Sequence, residues 1–249
     1  MYSFLFKNRL VKIVFNLGKM KQLLESLFDV IFPTVCNGCE TVLNDNEYTL
    51  CSYCRYELPK TNHLKIANNE SFEKFYGLAN IHKAASLLYY EKEGVVQKIL
   101  HNLKYKNKQE IGKLMANMFE EDLNSNQFFE INTCIVPVPL HPKKLKERGA
   151  NQISSFCETL CKNHDLDYET NVLKRRVYNK TQTTKNLLDR NNAYKENSFY
   201  IENNSIKAKH IVIVDDVLTT GSTLLQCIKA LESIQNKNIS ILTIAFAHS

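Results

Sequence analysis

Ile211-Val212-Ile213-Val214-Asp215-Asp216-Val217-Leu218-Thr219-Thr220-Gly221-Ser222-Thr223 is the stretch from which the rest of the chain can be read. Its four leading apolar residues, mostly β-branched, predict a strand buried on both faces, and they end in two carboxylates. The five residues from Thr219 to Thr223 are all small and four of them carry hydroxyls; Leu224, Leu225, Ile228 and Leu231 then follow at helical spacing. The segment is therefore a strand-to-helix turn. The first turn of a helix has backbone N–H groups without internal acceptors and the positive end of the dipole, so it favours an anion. Gly221 lets the backbone come close to that anion, and the hydroxyls add donors without bulk. An ionised Asp215 or Asp216 only accepts hydrogen bonds, so beside a bound phosphate the pair must face hydroxyl donors or a cation. A structural helix cap needs one such residue, not five.

With 249 residues the chain has room for one ordinary domain and a small appendage. Its hydrophobic content of 44% and charged content of 23% are those of a soluble globular protein. No apolar run reaches membrane-spanning length, so integral membrane association is not expected. The N-terminus mixes Lys7, Arg9 and Lys12 into its apolar residues and offers no small-residue cleavage site, which makes cytoplasmic residence the expectation. The net charge of +6 favours anionic partners without choosing between nucleotides, nucleic acid and acidic lipid. Glycine and proline are scarce, 7 and 5 in the chain, and Gly38, Gly149, Gly221, Pro137, Pro139 and Pro142 fall in the proposed site loops.

Leu23, Leu24, Leu27, Phe28, Ile31 and Phe32 recur at helical spacing before Pro33. Residues 1–35 are read as an amphipathic helical region, basic through Lys7, Arg9, Lys12, Lys19 and Lys21. Packing on the neighbouring domain is favoured over a membrane-surface role. Cys36-Asn37-Gly38-Cys39 and Cys51-Ser52-Tyr53-Cys54 form two Cys-x-x-Cys pairs. Their four thiolates are the tetrahedral set that structural Zn²⁺ takes, and residues 36–60 are too few to fold around a core of their own. A redox disulfide is the alternative. Cys134, Cys157, Cys161 and Cys227 lie in apolar segments and read as buried hydrophobes. Glu40, Asp45, Glu47 and Glu57 against Arg55 make the finger a poor phosphate binder, and Lys60 to Ser71 reads as a polar linker.

Residues 75–249 form the second expected domain. Ala84 to Tyr90 predicts a strand, Val95 to Leu103 a helix, and Ile111 to Phe119 a second helix. Lys104, Tyr105, Lys106 and Lys108 sit between them and suit single-stranded nucleic acid, where bases stack and phosphates pair; solvated helix faces account for them equally well. Cys134 to Pro139 is a second buried-strand candidate, followed by Lys143, Lys144, Lys146 and Arg148 in a loop ending at Gly149. Strand, cationic loop and helix suit a pyrophosphate. Val172 to Arg190 reads as a cationic flap containing Lys174, Arg175, Arg176, Lys180, Lys185 and Arg190. Ser198 to Ile201 is expected to return the chain to the sheet, and Ile239 to Phe246 to supply its last strand. Strands alternating with helices imply a parallel α/β sheet with its ligands at the carboxyl ends of the strands.

The acidic pair followed by Thr-Thr-Gly-Ser-Thr resembles the loop with which type I phosphoribosyltransferases bind phosphoribosyl pyrophosphate (PRPP). The paired Cys-x-x-Cys, Leu103-Lys104-Tyr105, Val136-Pro137-Val138-Pro139-Leu140-His141, Arg148-Gly149-x-Asn151-Gln152, and Arg175 through Gln182 to Arg190-x-Asn192 extend the likeness to the ComF family over roughly residues 20–249. Ala150 departs from the bulkier residue usual there. The resemblance implies a type I phosphoribosyltransferase-like parallel sheet flanked by helices, with a small N-terminal four-cysteine zinc finger. It implies that Asp215 and Asp216 hold a ribose diol and that Thr219, Thr220, Gly221, Ser222 and Thr223 hold the 5-phosphate. Lys144, Arg148 and Gly149 would hold a Mg²⁺-bound pyrophosphate, with Arg175, Arg176 and Arg190 closing over it. Phosphoribosyl transfer to a nitrogen nucleophile is the expected activity, although no general base stands out. The alternatives are a competence protein handling single-stranded DNA, with a regulatory or vestigial PRPP site, and an adaptor docking through the finger.

Overall fold

The computed structural model describes residues 31–176, 198–202 and 206–248. The expected helix from Leu23, the basic residues 7–21, and Lys180, Gln182, Lys185 and Arg190 of the expected flap lie outside them. The chain divides into two units, residues 1–56 and 57–249.

In the described part of the first unit, Val35 and Val42 form an antiparallel bridge around a tight turn. Cys36 N donates to Thr41 O at 2.8 Å and Glu40 N to Cys36 O at 3.0 Å, with Glu40 in the left-handed region at φ 67°. A one-and-a-half-turn helix, α1 (Ser52–Tyr56), follows. Its N-terminus is fixed by Glu47, which accepts from Ser52 Oγ at 2.7 Å and from Asn44 N at 3.1 Å. These bonds, that to Ser52 foremost, pull the Glu47 carboxyl down to about 2.

The second unit begins with the segment expected to be a linker, and here the structure differs. Thr61 N donates to Leu87 O at 3.1 Å, and Thr61, His63, Asn69 and Ser71 are buried. Asn69 caps the short helix α2 (Glu70–Glu73) by accepting from Phe72 N, while its amide donates to Ala84 O at 2.7 Å. Polar composition misled because each of these groups is hydrogen-bonded to the sheet edge rather than to water.

The remaining elements alternate as the sequence implies: β1 (Lys83–Tyr90), α3 (Val95–Tyr105), α4 (Glu110–Met118), α5 (Glu120–Ser125), β2 (Thr133–Pro137), α6 (Pro142–Arg148), α7 (Ser154–His164) and β3 (Asp167–Tyr168). After them come β4 (Leu173–Arg175), β5 (Phe199–Ile201), β6 (His210–Leu218), α8 (Ser222–Leu231) and β7 (Asn238–Ala247). The main sheet has five strands in the order β1-β7-β6-β2-β3, all parallel. Ile211 to Val214 are wholly buried because β6 has a neighbour on each side and cover on each face. On one face Ile211 and Ile213 pack with Leu224, Cys227 and Ile228 of α8. Helices α4 and α7 pack closely through Gly112, where a Cβ would fall 2.2 Å from Ser155 Oγ.

Two further expectations are corrected. Residues 143–148 are not a loop: they form α6, started by His141 as N-cap with Pro142 in the first turn and ended at Gly149 with φ +77°. Residues 199–201 do not rejoin the main sheet. They pair antiparallel with 173–175 as a separate two-stranded ribbon, because each strand is short and flanked by polar chain. Among the described residues no helix is long and apolar enough to cross a membrane.

Candidate functional site

The carboxyl end of β6 presents the acidic pair on opposite faces, as the two-residue period of a strand requires. Asp216 is 6% exposed and is held from two sides. Its Oδ2 accepts from Gln152 Nε2 at 2.8 Å and lies 3.0 Å from Lys104 Nζ. Gln152 is oriented in turn by Arg148, whose NH1 donates to Gln152 Oε1 at 2.6 Å and whose guanidinium lies over the Tyr105 ring at 5.1 Å. Asn151 ties the same loop to β2 by donating to Val138 O at 3.0 Å. Asp215 is half-buried, and its Oδ1 accepts from Asp216 N at 2.9 Å. Burial, followed by the neighbouring Asp216 carboxylate, pushes it from 3.8 up to about 7 against the pull of Lys104 and Arg175.

Beyond Asp215 the chain turns through Thr219 and Thr220, both exposed, into α8. Gly221 has φ +77° and sits against the ring of buried Phe75, where a Cβ would meet Cε1 at 3.3 Å. An open pocket of about 230 Å³ lies between Asp215 and the first turn of α8, lined by Thr219, Gly221, Ser222 and Thr223. Ser222 N donates to Thr220 Oγ1 at 3.4 Å, a turn that gathers the hydroxyls at the pocket. An anion with hydroxyls a few ångströms away fits this combination of dipole, donors and carboxylate.

Other expected site residues are distributed as follows. Lys144 is exposed on α6, Arg148 faces Gln152, and Gly149 ends α6. Arg175 lies on β4 with its guanidinium 5.3 Å from the Phe199 ring centre and its charge acting on Asp215; Arg176 covers Tyr200 at 5.4 Å. The group expected to meet nucleic acid is divided: Lys104 turns inward to Asp216, Tyr105 is 66% exposed beneath Arg148, Lys106 is exposed, and Lys108 pairs with Glu110 at 3.6 Å. The partnership of Lys104 and Gln152 with Asp216 was not read from the sequence, since the three are far apart in the chain. Its one signal was that both residues stand in motifs otherwise rich in site residues.

In the first unit, the sulfur atoms of Cys36, Cys39, Cys51 and Cys54 all lie within 4.8 Å of one another and no disulfide joins them. Backbone N–H groups of Gly38 and Cys51 point at Cys36 Sγ at 3.4 and 3.2 Å, and that of Cys54 at Cys51 Sγ at 3.4 Å. Such donors stabilise thiolates. Hydrogen bonds to Thr41 lower Cys39 to about 6, while burial and the contact with Cys39 push Cys54 far up. Four thiolates this close need a cation, and the cluster can hold a structural zinc. Among the described residues no other group of three His, Cys, Asp or Glu side chains is close enough to ligate a metal.

Residues 165–249 match the model of the phosphoribosyl transferase domain. A parallel sheet with an acidic pair and an open pocket at its carboxyl edge, preceded by a four-cysteine cluster, defines a phosphoribosyltransferase-type α/β protein. The chain is 25% identical over 220 residues to competence protein F of Haemophilus influenzae, covering 86% of this chain and 90% of that one. It is 30% identical over 131 residues to the DNA utilization protein YhgH of Escherichia coli strain K12, covering 51% of this chain and 56% of that one. With competence protein ComFC of Bacillus subtilis it shares 28% identity over 138 residues, 54% of this chain and 52% of the other. The matched domain and these relatives support the likeness to the ComF family read from the sequence.

Proposed function

We propose that this protein binds PRPP or a related ribose 5-phosphate at the carboxyl edge of its sheet and transfers the phosphoribosyl group to a nitrogen nucleophile. The observation that carries this reading is the anion pocket at Gly221 lying directly beside Asp215. The 5-phosphate lies in the turn from Thr219 to Thr223, and the ribose hydroxyls donate to Asp215 and Asp216. Arg148, Lys144 and Gly149 meet the pyrophosphate, with Arg175 and Arg176 on the side of the ribbon; Arg190, which lies outside the described residues, is assigned the same role. Mg²⁺ bound with the diphosphate would supply charge neutralisation there. The residues of the chain act by position and charge: cations stabilise the charge gathering on the leaving pyrophosphate, and the carboxylates fix the ribose for attack at C1. The domain limits that go with this reading are residues 1–35, a four-cysteine finger over 36–60 with Cys36, Cys39, Cys51 and Cys54 on Zn²⁺, and 75–249, in a cytoplasmic protein.

Calorimetry with PRPP and Mg²⁺ tests the ligand, and Asp216→Asn is expected to lose about thirtyfold in affinity, the worth of one hydrogen bond to a charged group. Equal affinity of the variant sinks the assignment. Pyrophosphate release with a panel of bases and amines then tests the transfer. The finger is expected to carry one zinc per chain by elemental analysis, with Cys39→Ser lowering the occupancy and unfolding the first unit.

A second reading is favoured by the names of the relatives, competence protein F and DNA utilization protein. In it, Lys106 and the exposed Tyr105 meet single-stranded DNA, with Lys104 and Lys108 beside them, and the PRPP site regulates that contact. Oligonucleotide binding that weakens steeply with salt supports it, and no retention at low salt counts against it.

A further inference from the structure

Arg148 and Asp216, a cation on α6 and an anion on β6, are joined through the side-chain amide of Gln152. Gln152 Oε1 accepts from Arg148 NH1 at 2.6 Å, and Gln152 Nε2 donates to Asp216 Oδ2 at 2.8 Å. An amide has an acceptor end and a donor end, so it can take a guanidinium on one side and a carboxylate on the other. Turned over, it would set its NH₂ group against guanidinium N–H groups and its oxygen against a carboxylate oxygen, and both contacts would repel. The two charges therefore hold the amide in one orientation, and each bond polarises the other. Lys104, in the last turn of α3, reaches the same Oδ2 at 3.0 Å.

The parts of this bridge are not held equally firmly. Asp216 is buried at the end of a strand that has a neighbour on each side. Gln152 and Ile153 are buried too, and the adjoining Asn151 is fastened by its side chain to Val138 O at 3.0 Å and by its carbonyl to Ser154 N at 3.0 Å. Arg148, by contrast, sits in the last turn of α6, a helix of seven residues none of which is buried. A helix without a buried face has little to resist displacement, so what binds Arg148 decides where it rests. Its guanidinium lies over the Tyr105 ring at 5.1 Å and gives NH1 to Gln152, and a guanidinium has further N–H donors for an anion.

We propose that Gln152 is a positioning residue that couples the two ends of the ligand, so that a pyrophosphate on Arg148 raises the affinity of Asp216 for ribose hydroxyls. This inference rests on the phosphoribosyl reading of the site. A pyrophosphate that engages Arg148 fixes α6 at its last turn, and the guanidinium then holds Gln152 Oε1 in one place. The amide in turn holds Asp216 Oδ2, with Lys104 on the same oxygen, and the carboxylate is set for a hydroxyl at its other oxygen. Whichever ligand arrives first bears the cost of ordering this bridge, and the second is spared it, which is positive cooperativity without a large change of shape. By linkage the effect is the same in both directions: ribose on Asp216 raises the affinity of Arg148 for pyrophosphate by the same factor. PRPP carries both groups and engages both ends of the bridge at once.

Calorimetry on the full chain with ribose 5-phosphate and Mg²⁺-pyrophosphate, the two halves of PRPP, tests the coupling. The quantity read is the factor by which saturating pyrophosphate changes the affinity for ribose 5-phosphate. It is expected to be about tenfold smaller in Gln152→Met than in the wild type. Direct repulsion between the two anions is common to both proteins and drops out of the comparison. Lys104→Met leaves the amide bridge whole, and should weaken ribose 5-phosphate about tenfold with the factor retained. An equal factor in Gln152→Met and the wild type, or an equal loss of it in Lys104→Met, overturns the coupling and leaves Gln152 a packing residue of its loop. Failure of the wild type to bind PRPP or either half overturns the phosphoribosyl reading and the coupling with it, a result distinct from binding with an unchanged factor. Should Gln152→Met not fold, Gln152→Glu carries the same test, since it keeps the length and the acceptor for Arg148 and removes the donor to Asp216.

Discussion

The two ends of β6 are built from the same kind of material, buried polar side chains, and serve opposite purposes. At the amino end His210 is 0% exposed and closed on both sides: Nδ1 lies 2.8 Å from Thr133 Oγ1 and Nε2 2.7 Å from Ser240 Oγ. At the carboxyl end Asp215 borders an open pocket, and Asp216 shares a single oxygen between Gln152 and Lys104. Hydrogen bonds that saturate a buried group make scaffold, and acceptors left facing a cavity make a site.

The largest expected effect separates the ends by stability. His210→Leu strands the hydroxyl of Ser240 and weakens that of Thr133, and should cost about 3 kcal/mol in denaturant unfolding while leaving ligand affinity unchanged. A loss of affinity as large as that of Asp216→Asn would break the division of labour. Next comes Gly221→Ala, which puts a Cβ on a backbone at φ +77° and 3.3 Å from Phe75 Cε1. About 1 kcal/mol of stability and several-fold in PRPP affinity should go together, because the strain lies in the turn that forms the pocket.

The smallest effect is the one that sharpens the comparison most, because pH acts on the two ends in opposite senses. Burial lowers His210 from 6.5 to about 4, so the unfolded chain takes up the proton first as the solution is acidified. Its contribution to stability is present above pH 6.5 and is lost as pH falls toward 4. Asp215 runs the other way: raised from 3.8 to about 7, it favours the fold most below 3.8 and loses that contribution as pH rises through 7. Ligand affinity should climb over the same upper range, since only the ionised form offers both carboxylate oxygens as strong acceptors to the diol hydroxyls. Thermal melts and calorimetry across the range separate these two curves, and parallel curves would contradict the assignment.

Much of this was legible before folding. The run Ile211 to Val214, its carboxylates and the small residues after them specify a buried strand, an acidic edge and a strand-to-helix turn by local chemistry alone, and the structure has each of them in place. The spacing of Cys36, Cys39, Cys51 and Cys54 likewise announced a cluster, because two knuckles with short arms have few other ways to be satisfied. Local composition failed where polar residues find partners far away in the chain. Residues 60–71 looked like linker because nothing in the sequence says that Ser71 meets Ser86 and Ser86 meets Thr243. Lys104 looked like a surface cation because its partner, Asp216, lies more than a hundred residues downstream.

The sequence by itself determined the alternation of strand and helix, the acidic pair and the small-residue turn after it, and the thiol set, since each depends on neighbours within a dozen or so residues. Only the tertiary structure decided which cation faces which carboxylate, and that β1, β7 and β6 lie side by side. The order of strands in a sheet is fixed by packing over the whole domain, and it alone brings the hydroxyls of Ser86 and Thr243 into line with Asp215.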